Sequence, residues 1–300
     1  MENRDDINQT NWLDTVKSYL PASWVASGPL IPVLRFSGPI GMVTPLRPGL
    51  SLSTSASAIE KAFSMRNAAA IAIQLNSPGG SPVQSGLIYR RIRSLADEKG
   101  LKVYVFAEDV AASGGYLLAL AGDAIYADAS SIVGSIGVIS ASFGLNEFIN
   151  KLGIQRRVIT AGANKDILDP FLPEKPEDVE RVKSIQADVH AAFIALVKAR
   201  RGKKIEAAGD SLFTGEFWSG KKAVELGLID GLADLRGKMR EIYGEDVRFK
   251  LVTPERGWFR RKHGISLSER SFGFGLATSG LADDLISAVE TRALWSRFGL

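Results

Sequence analysis

The 300-residue sequence contains no cysteine, only two histidines and no long apolar run. Without cysteine, the chain can form neither a disulfide nor a cysteine metal site, and it has no thiolate nucleophile. Two histidines, His190 and His263, are too few for a histidine-rich metal site, and no metal or other cofactor is expected. The longest apolar stretches, such as residues 68–73, have the length of strands and fall well short of the roughly 18 residues of a membrane span.

The chain also carries only a small net charge. A net charge of +4 is too small and too evenly spread to indicate a nucleic-acid partner. The first residues, Met1–Asp6, are mixed in charge and lack an apolar core, so they do not read as a signal peptide. These features predict a cytoplasmic chain.

Apolar strand-like runs alternate with helical patterns, which is typical of an α/β domain with a largely parallel sheet. Strands are expected at 31–36, 69–75, 103–107, 124–127, around 138–139 and at 157–160. Helices are expected at 12–20, 55–64, 83–99, 145–152, 176–200, 219–226 and 233–243. Functional loops of such sheets gather at the carboxyl ends of the strands.

The composition divides the chain into a core domain and two flanking segments. The core covers residues 30–252, with an N-terminal amphipathic segment at 1–29 and a basic, amphipathic C-terminal extension at 253–300. The two flanking segments could lie in a membrane interface, which would make the protein peripheral to the membrane. They could equally pack on the core or on a neighbouring subunit, the commoner use of an amphipathic stretch.

Ser113 stands between two alanines and two glycines, immediately before an apolar helical stretch. A serine hydroxyl attacks a carbonyl well only when it is exposed at a turn, has a base in reach and has donors for the resulting oxyanion. The small neighbours leave room for a substrate, so the segment looks like a peptidase nucleophile. The segment Ala112–Gly115 would also suit the start of a helix, with Ser113 as its N-cap.

A second glycine pair, Gly79–Gly80, follows the expected strand 69–75 and opens a helix. Its backbone amides could bind a developing negative charge, although a simple chain reversal would need the same glycines. Because both glycine turns follow strands, they should lie side by side.

The base that a catalytic serine needs is not evident from local sequence. His190 falls in the expected helix 176–200 and His263 in the C-terminal extension, and neither has an evident acid to orient it. Lys165, 52 residues after Ser113, could act if burial lowered its pKa, but most lysines are solvated. Ser135 could hydrogen-bond a neutral lysine amine and orient it.

Five elements together resemble the signal peptide peptidase A (protease IV) family, in that family's order and over roughly residues 30–245. They are Asn76–Gly80, Asp109–Tyr116, Val133–Val138, Lys165 and Gly215–Asp230.

The resemblance implies a fold of the ClpP/crotonase superfamily and a serine–lysine dyad. Ser113 would be the nucleophile, Lys165 the general base, and Ser135 the group that orients the lysine. Gly80 and Gly114 would donate the oxyanion hydrogen bonds. The implied protein is a homo-oligomeric endopeptidase, with serine and lysine from neighbouring protomers, acting on extended or membrane-derived peptides.

This sequence departs from the family in showing no evident membrane anchor, which bears on signal-peptide cleavage more than on peptidase chemistry. Two other functions remain open at this point. One is a non-proteolytic, oligomeric scaffold that binds peptides. The other is a crotonase-like enzyme acting on thioesters, which would use the amide pair but leaves Lys165 without a role.

Overall fold

A computed structural model describes residues 28–41, 49–162, 164–253, 289 and 292–300. The strands are β1 (Leu30–Ser37), β2 (Ala70–Ser77), β3 (Lys102–Ala112), β4 (Ala124–Ala127), β5 (Ile132–Gly134), β6 (Phe217–Ser219), β7 (Gly231–Leu232) and β8 (Arg248–Val252). The helices are α1 (Leu52–Phe63), α2 (Pro82–Lys99), α3 (Gly114–Ala119), α4 (Asn146–Lys151), α5 (Pro176–Arg201), α6 (Gly220–Glu225) and α7 (Leu235–Tyr243). Two 3₁₀ turns, Gly202–Ile205 and Gly209–Phe213, follow α5.

The eight strands form one sheet in which β6, β5, β3, β2, β1 and β8 lie in that order. β4 pairs with β3 and with β7. Every pair is parallel except β5–β6. Residues 31–34 and 70–73 are buried without alternation, as expected for strands covered on both faces. The predicted α/β class with a largely parallel sheet is confirmed.

The helices that flank the site begin and end at residues suited to those positions. The Ser81 side chain accepts a hydrogen bond from the Gln84 amide at the start of α2, where Pro82 occupies the first helical position. Gly100, with a φ of 64°, ends α2 in the left-handed conformation. Ile88 and Ile92 lie on the buried face of this helix and pack in the main core. The helix is therefore fixed at both ends and along one side.

Three expectations for strands are corrected. β3 does not stop at residue 107 but continues to Ala112, and it pairs first with β4 and then with β5. The strand expected around residues 138–139 lies earlier, at Ile132–Gly134. No strand forms at 157–160, where Ile159 is fully exposed and no described residue covers it.

The predicted helix 12–20 and the basic cluster at 256–262 lie outside the described residues. Of the C-terminal extension, residues 292–296 are helical, and Phe298 packs against Val110 and Ala112 beside β5. Among the helices that the structure describes, none is long and apolar enough to cross a bilayer.

Candidate active site

Ser113 directly follows the end of β3 and occupies the N-cap position of α3. Its φ of 52° and ψ of −122° are unusual for a residue other than glycine, and its side chain makes no capping hydrogen bond. Its amide donates to the Gly134 carbonyl at 2.8 Å, which fixes the turn against β5. Strained backbone of this kind persists where the surroundings hold it, commonly at functional sites. No described residue hydrogen-bonds the hydroxyl, and the N-cap alternative loses its hydrogen bond.

The Gly79–Gly80 turn packs directly against the serine turn, as the sequence predicts. Gly79 and Gly80 have φ values of 103° and 134°. A Cβ on Gly79 would lie 2.8 Å from the Cβ of Ser113, and one on Gly80 would collide with the Ile40 carbonyl. Glycine is therefore required here for both conformation and close approach.

The amides of Gly80 and Gly114 meet at this junction. A Cβ on Gly114 would lie 3.4 Å from the Gly80 nitrogen, so the two residues are in near contact. Among the described residues, neither amide donates a hydrogen bond. Gly114 is buried, and a buried amide is almost always paired, while Gly80 lies at the exposed edge of the turn. Two neighbouring amides without a protein partner, beside a serine, suit a bound oxyanion.

Ser135 lies on the segment that follows β5, one residue after the Gly134 carbonyl that the Ser113 amide bonds. It is 8% exposed and has a φ of 53°, and its amide donates to the Glu216 carbonyl at 2.6 Å. Ser135 and Ser113 line the same cleft. The structure therefore brings together four of the five predicted site residues.

The cleft has a volume of about 1040 Å³ and a largely apolar wall. Ser113, Gly80, Gly114 and Ser135 form its polar end. Helices α2, α3 and α5, the segment after β5 and the C-terminal residues supply the apolar wall. It comprises Val83, Tyr89, Leu117, Val138, Ile139, Val189, Phe193, Leu196, Leu294 and Phe298. A cleft of this size and character can hold several residues of an extended peptide.

His190 also lines this cleft, and its Nε2 lies 3.2 Å from the Ile136 carbonyl oxygen. A carbonyl oxygen can only accept, so Nε2 carries the hydrogen. A proton-bearing Nε2 cannot take a proton from Ser113, and among the described residues no hydrogen bond joins the other ring nitrogen, Nδ1, to Ser113. The sequence places His190 on the helix 176–200 but does not reveal its position on the cleft.

Lys165 is the predicted residue that the structure does not bring to the cleft. It lies exposed in a turn where its amide donates to the Gly162 carbonyl at 3.3 Å. The adjacent Asp166 pairs with Lys175 at 3.6 Å. Within one chain, the serine end of the site is assembled and the lysine stands apart.

Lys165 belongs to an exposed segment, residues 139–162 and 164–172, which we call the lysine arm. Many of its apolar side chains face solvent, including Phe143 at 83% exposure and Ile159 at 100%, whereas Ile149 is buried. Among the described residues, all of its backbone hydrogen bonds outside helix α4 join two residues of the arm, such as Leu145 to Pro170 at 2.6 Å. The arm is folded on itself and largely uncovered.

Two residues of the glycine-turn motif have positioning roles that the sequence reasoning missed. The Asn76 side chain accepts from the Val110 amide at 3.2 Å and donates to Asp109 at 2.6 Å, bridging a register shift between β2 and β3. The buried Ser77 hydroxyl donates to the Gly38 carbonyl at 2.7 Å and accepts from the Gly79 amide at 3.2 Å. Their side chains fix the turn, and the Asn–Ser preceding Pro–Gly–Gly was the available signal.

An ion-pair cluster centred on Asp230 anchors helix α3 behind the serine. The buried Tyr116 hydroxyl donates to the Leu228 carbonyl at 2.7 Å, and burial raises the pKa of Tyr116. Asp230 accepts from Arg201 at 2.9 and 3.2 Å and from Lys204 at 2.6 Å. Burial alone would raise the pKa of Asp230, but these hydrogen bonds and charges outweigh it, so its pKa is lowered. The cluster holds the segment 228–230, which contacts α3 through the hydrogen bond from Tyr116 to Leu228.

The described residues form an α/β protein with a largely parallel sheet, in which a strained serine lies beside two glycine amides. The model of peptidase family S49 matches residues 96–242. A Buchnera aphidicola protein named "Probable protease SohB" is 30% identical over 229 residues, covering 76% of this chain and 70% of its own. This chain belongs to peptidase family S49, which agrees with the ClpP/crotonase-like class expected from its motifs.

Other relatives match more of this chain but less of themselves. A Brucella abortus protein named Na(+)/H(+) antiporter NhaA is 53% identical over 289 residues, which is 95% of this chain and 39% of that one. The Arabidopsis thaliana protein named serine protease SPPA, chloroplastic, is 33% identical over 68% of this chain and 31% of its own length. This chain therefore spans about two fifths of the first curated relatives it matches. A solved structure titled as a membrane-bound stomatin-specific protease aligns with a TM-score of 0.45 at 17% identity, covering 76% of this chain and all of that one.

Proposed function

We propose that this chain is a serine endopeptidase that cleaves extended or membrane-derived peptides with a Ser113–Lys165 dyad. The observation that carries the proposal is the junction of the two glycine turns. There a strained, uncapped serine stands beside the free amides of Gly80 and Gly114. Neither a peptide-binding scaffold nor a helix cap needs that combination.

The reaction follows from this geometry. The Ser113 hydroxyl attacks the scissile carbonyl while a neutral lysine amine takes its proton. The oxyanion that forms accepts hydrogen bonds from the Gly80 and Gly114 amides. The lysine then gives its proton to the leaving amine, and it later deprotonates the water that hydrolyses the acyl-enzyme. Ser135, which lines the same cleft, orients the lysine amine.

We propose further that Lys165 reaches Ser113 from a neighbouring copy of the chain. Lys165 stands apart from the cleft of its own chain, on an arm whose apolar side chains are exposed. Contiguous apolar surface of this kind marks an interaction site. A second copy covering the arm would bury that surface and would also supply the desolvated environment that lowers the pKa of a lysine.

The experiment is a mixing assay with Ser113→Ala and Lys165→Ala. Each variant alone should lose about 10⁴-fold or more of its peptidase activity, since each lacks one half of the dyad. Lys165→Arg should also fail, because arginine cannot shed its proton. Subunits mixed under exchanging conditions should regain activity, because some interfaces then hold one intact serine and one intact lysine.

Each other outcome has a definite meaning. Full activity of Lys165→Ala would show that the base is wrong, and full activity of Ser113→Ala that the nucleophile is wrong. Mixed oligomers that stay inactive would place the dyad within one chain. Peptide binding without hydrolysis by the unmutated protein would favour the scaffold, and thioester turnover would favour the crotonase-like enzyme.

A further inference from the structure

The cleft contains a histidine for which the proposed dyad has no use. His190 lies on α5, and its half-buried ring joins that helix to the backbone one residue after Ser135. The bond runs from Nε2–H to the Ile136 carbonyl oxygen at 3.2 Å. Ile136 itself is fully buried, so its carbonyl has little access to water as an alternative partner.

The segment that receives this bond has an unusual backbone. Gly134 has a φ of 114° and Ser135 a φ of 53°, and the second value is costly for a residue with a Cβ. The Ser135 amide is held on one side by the Glu216 carbonyl at 2.6 Å. His190 holds the following residue from the α5 side. Hydrogen bonds to the Ser135 amide and to the Ile136 carbonyl therefore hold the backbone conformation in which Ser135 lines the cleft.

Other uses of His190 fit the contacts less well. Its Nε2–H is committed to a carbonyl, and among the described residues no carboxylate bonds the ring. It therefore lacks the acid partner that orients a catalytic histidine. Its bonded neighbour is backbone of the site, not a reacting group.

We infer that His190 is a positioning residue that holds Ser135 in its place in the cleft through the Ile136 carbonyl. The inference rests on the proposed function for its effect on catalysis, but the hydrogen bond can be tested without catalysis. Glutamine at this position keeps an N–H donor of similar reach, whereas leucine keeps the volume and loses the donor.

The first test is hydrogen exchange of the segment 133–138 in His190→Leu, His190→Gln and the unmutated protein. Exchange of this segment should become about tenfold faster in His190→Leu and remain nearly unchanged in His190→Gln. Gln186→Leu, one turn earlier on α5 and outside the cleft lining, is the matched control and should leave the segment unchanged. His190→Asn, whose amide is too short to reach, replaces the leucine variant if that one does not fold.

The second test is a double-mutant cycle with Ser135→Ala, with kcat and KM measured separately. His190→Leu should lower kcat about 10- to 100-fold with KM within about twofold, and His190→Gln should restore most of the loss. In the Ser135→Ala background, His190→Leu should lower kcat little further, because both substitutions remove the contribution of the correctly placed Ser135 hydroxyl. Fully additive losses, or unchanged exchange in His190→Leu, would overturn the inference. A protein with no peptidase activity but donor-dependent exchange would refute the proposed function and leave the hydrogen bond established.

Discussion

The two halves of the candidate site are built in opposite ways. Ser113 lies at the end of a central strand, beside two glycine turns and a buried helix, and each neighbour fixes it by a named contact. Lys165 lies on an arm that bonds mainly to itself and leaves large apolar side chains in solvent. Among the described residues, several elements hold the proposed serine half, while no described residue covers the exposed apolar side chains of the lysine half.

This difference indicates how each half should respond to substitution. A change in the serine half meets fixed backbone and must strain it, because tightly packed regions cannot give way. A change on the arm meets solvent and should leave the folded chain intact while altering what the chain binds. Three experiments test that contrast.

The largest effect is expected from a single methyl group in the serine half. Gly80→Ala should lower the free energy of unfolding by about 3 kcal/mol, because the Cβ collides with the Ile40 carbonyl and φ is 134°. The matched control is Gly144→Ala on the arm, where a Cβ meets nothing within 4 Å and which should be nearly neutral. Thermal and denaturant unfolding measure both. Equal effects in the two variants would remove the contrast between the halves.

A smaller but pH-dependent effect is expected at the anchor behind the serine. Asp230→Asn should cost about 3 kcal/mol or less at neutral pH, because it leaves the nearly buried Arg201 without its carboxylate partner. The folded pKa of Asp230 lies below its ordinary value, so the stabilisation is present above about pH 4. It is lost as the pH falls through the lowered pKa.

The measurement is urea unfolding of Asp230→Asn and unmutated protein from pH 7 down to pH 3. Their difference should shrink toward the acid end. Glu180→Gln removes an exposed ion pair with Lys183 on α5 and should change nothing measurable, as is usual for surface pairs. A difference that stays constant with pH would show that the asparagine acts through packing and not through the lost charge.

The same contrast explains how far the sequence could predict the molecule. Apolar runs such as 69–75 predict buried strands because both faces are covered, and the paired glycines predict the junction because no other residue fits it. The extension of β3 to Ala112 depends on the Asn76 side chain, which takes up the Val110 amide across a register shift. That contact joins residues 34 apart and leaves no periodic signal.

The errors fall mainly on the arm and its borders. The apolar residues near 138–139 and 157–160 look like strands because apolar pattern alone does not reveal whether a covering layer exists within the same chain. His190 shows the converse, since a single histidine on a helix has no pattern that reports the carbonyl it bonds. The separation of Lys165 from Ser113 depends on how the arm is placed, which local sequence does not encode.

The smallest effect on folding is expected on the arm itself. Phe143→Asp combined with Ile159→Asp should change the free energy of unfolding of the isolated chain by no more than about 0.5 kcal/mol each, because both side chains are already exposed. The same pair should weaken association between copies, because each carboxylate would have to be desolvated in an apolar interface. Light scattering after size-exclusion chromatography measures the assembly.

The matched control is Ile185→Asp, an exposed isoleucine on α5 outside the arm. It should keep the assembly and the peptidase activity of the unmutated protein. The arm variant should lose both together, since a lysine supplied by a neighbour disappears with the neighbour. An arm variant that dissociates yet keeps full activity would show that one chain completes the site alone. The two halves would then differ only in how exposed their side chains are, and the lysine half would not need a partner.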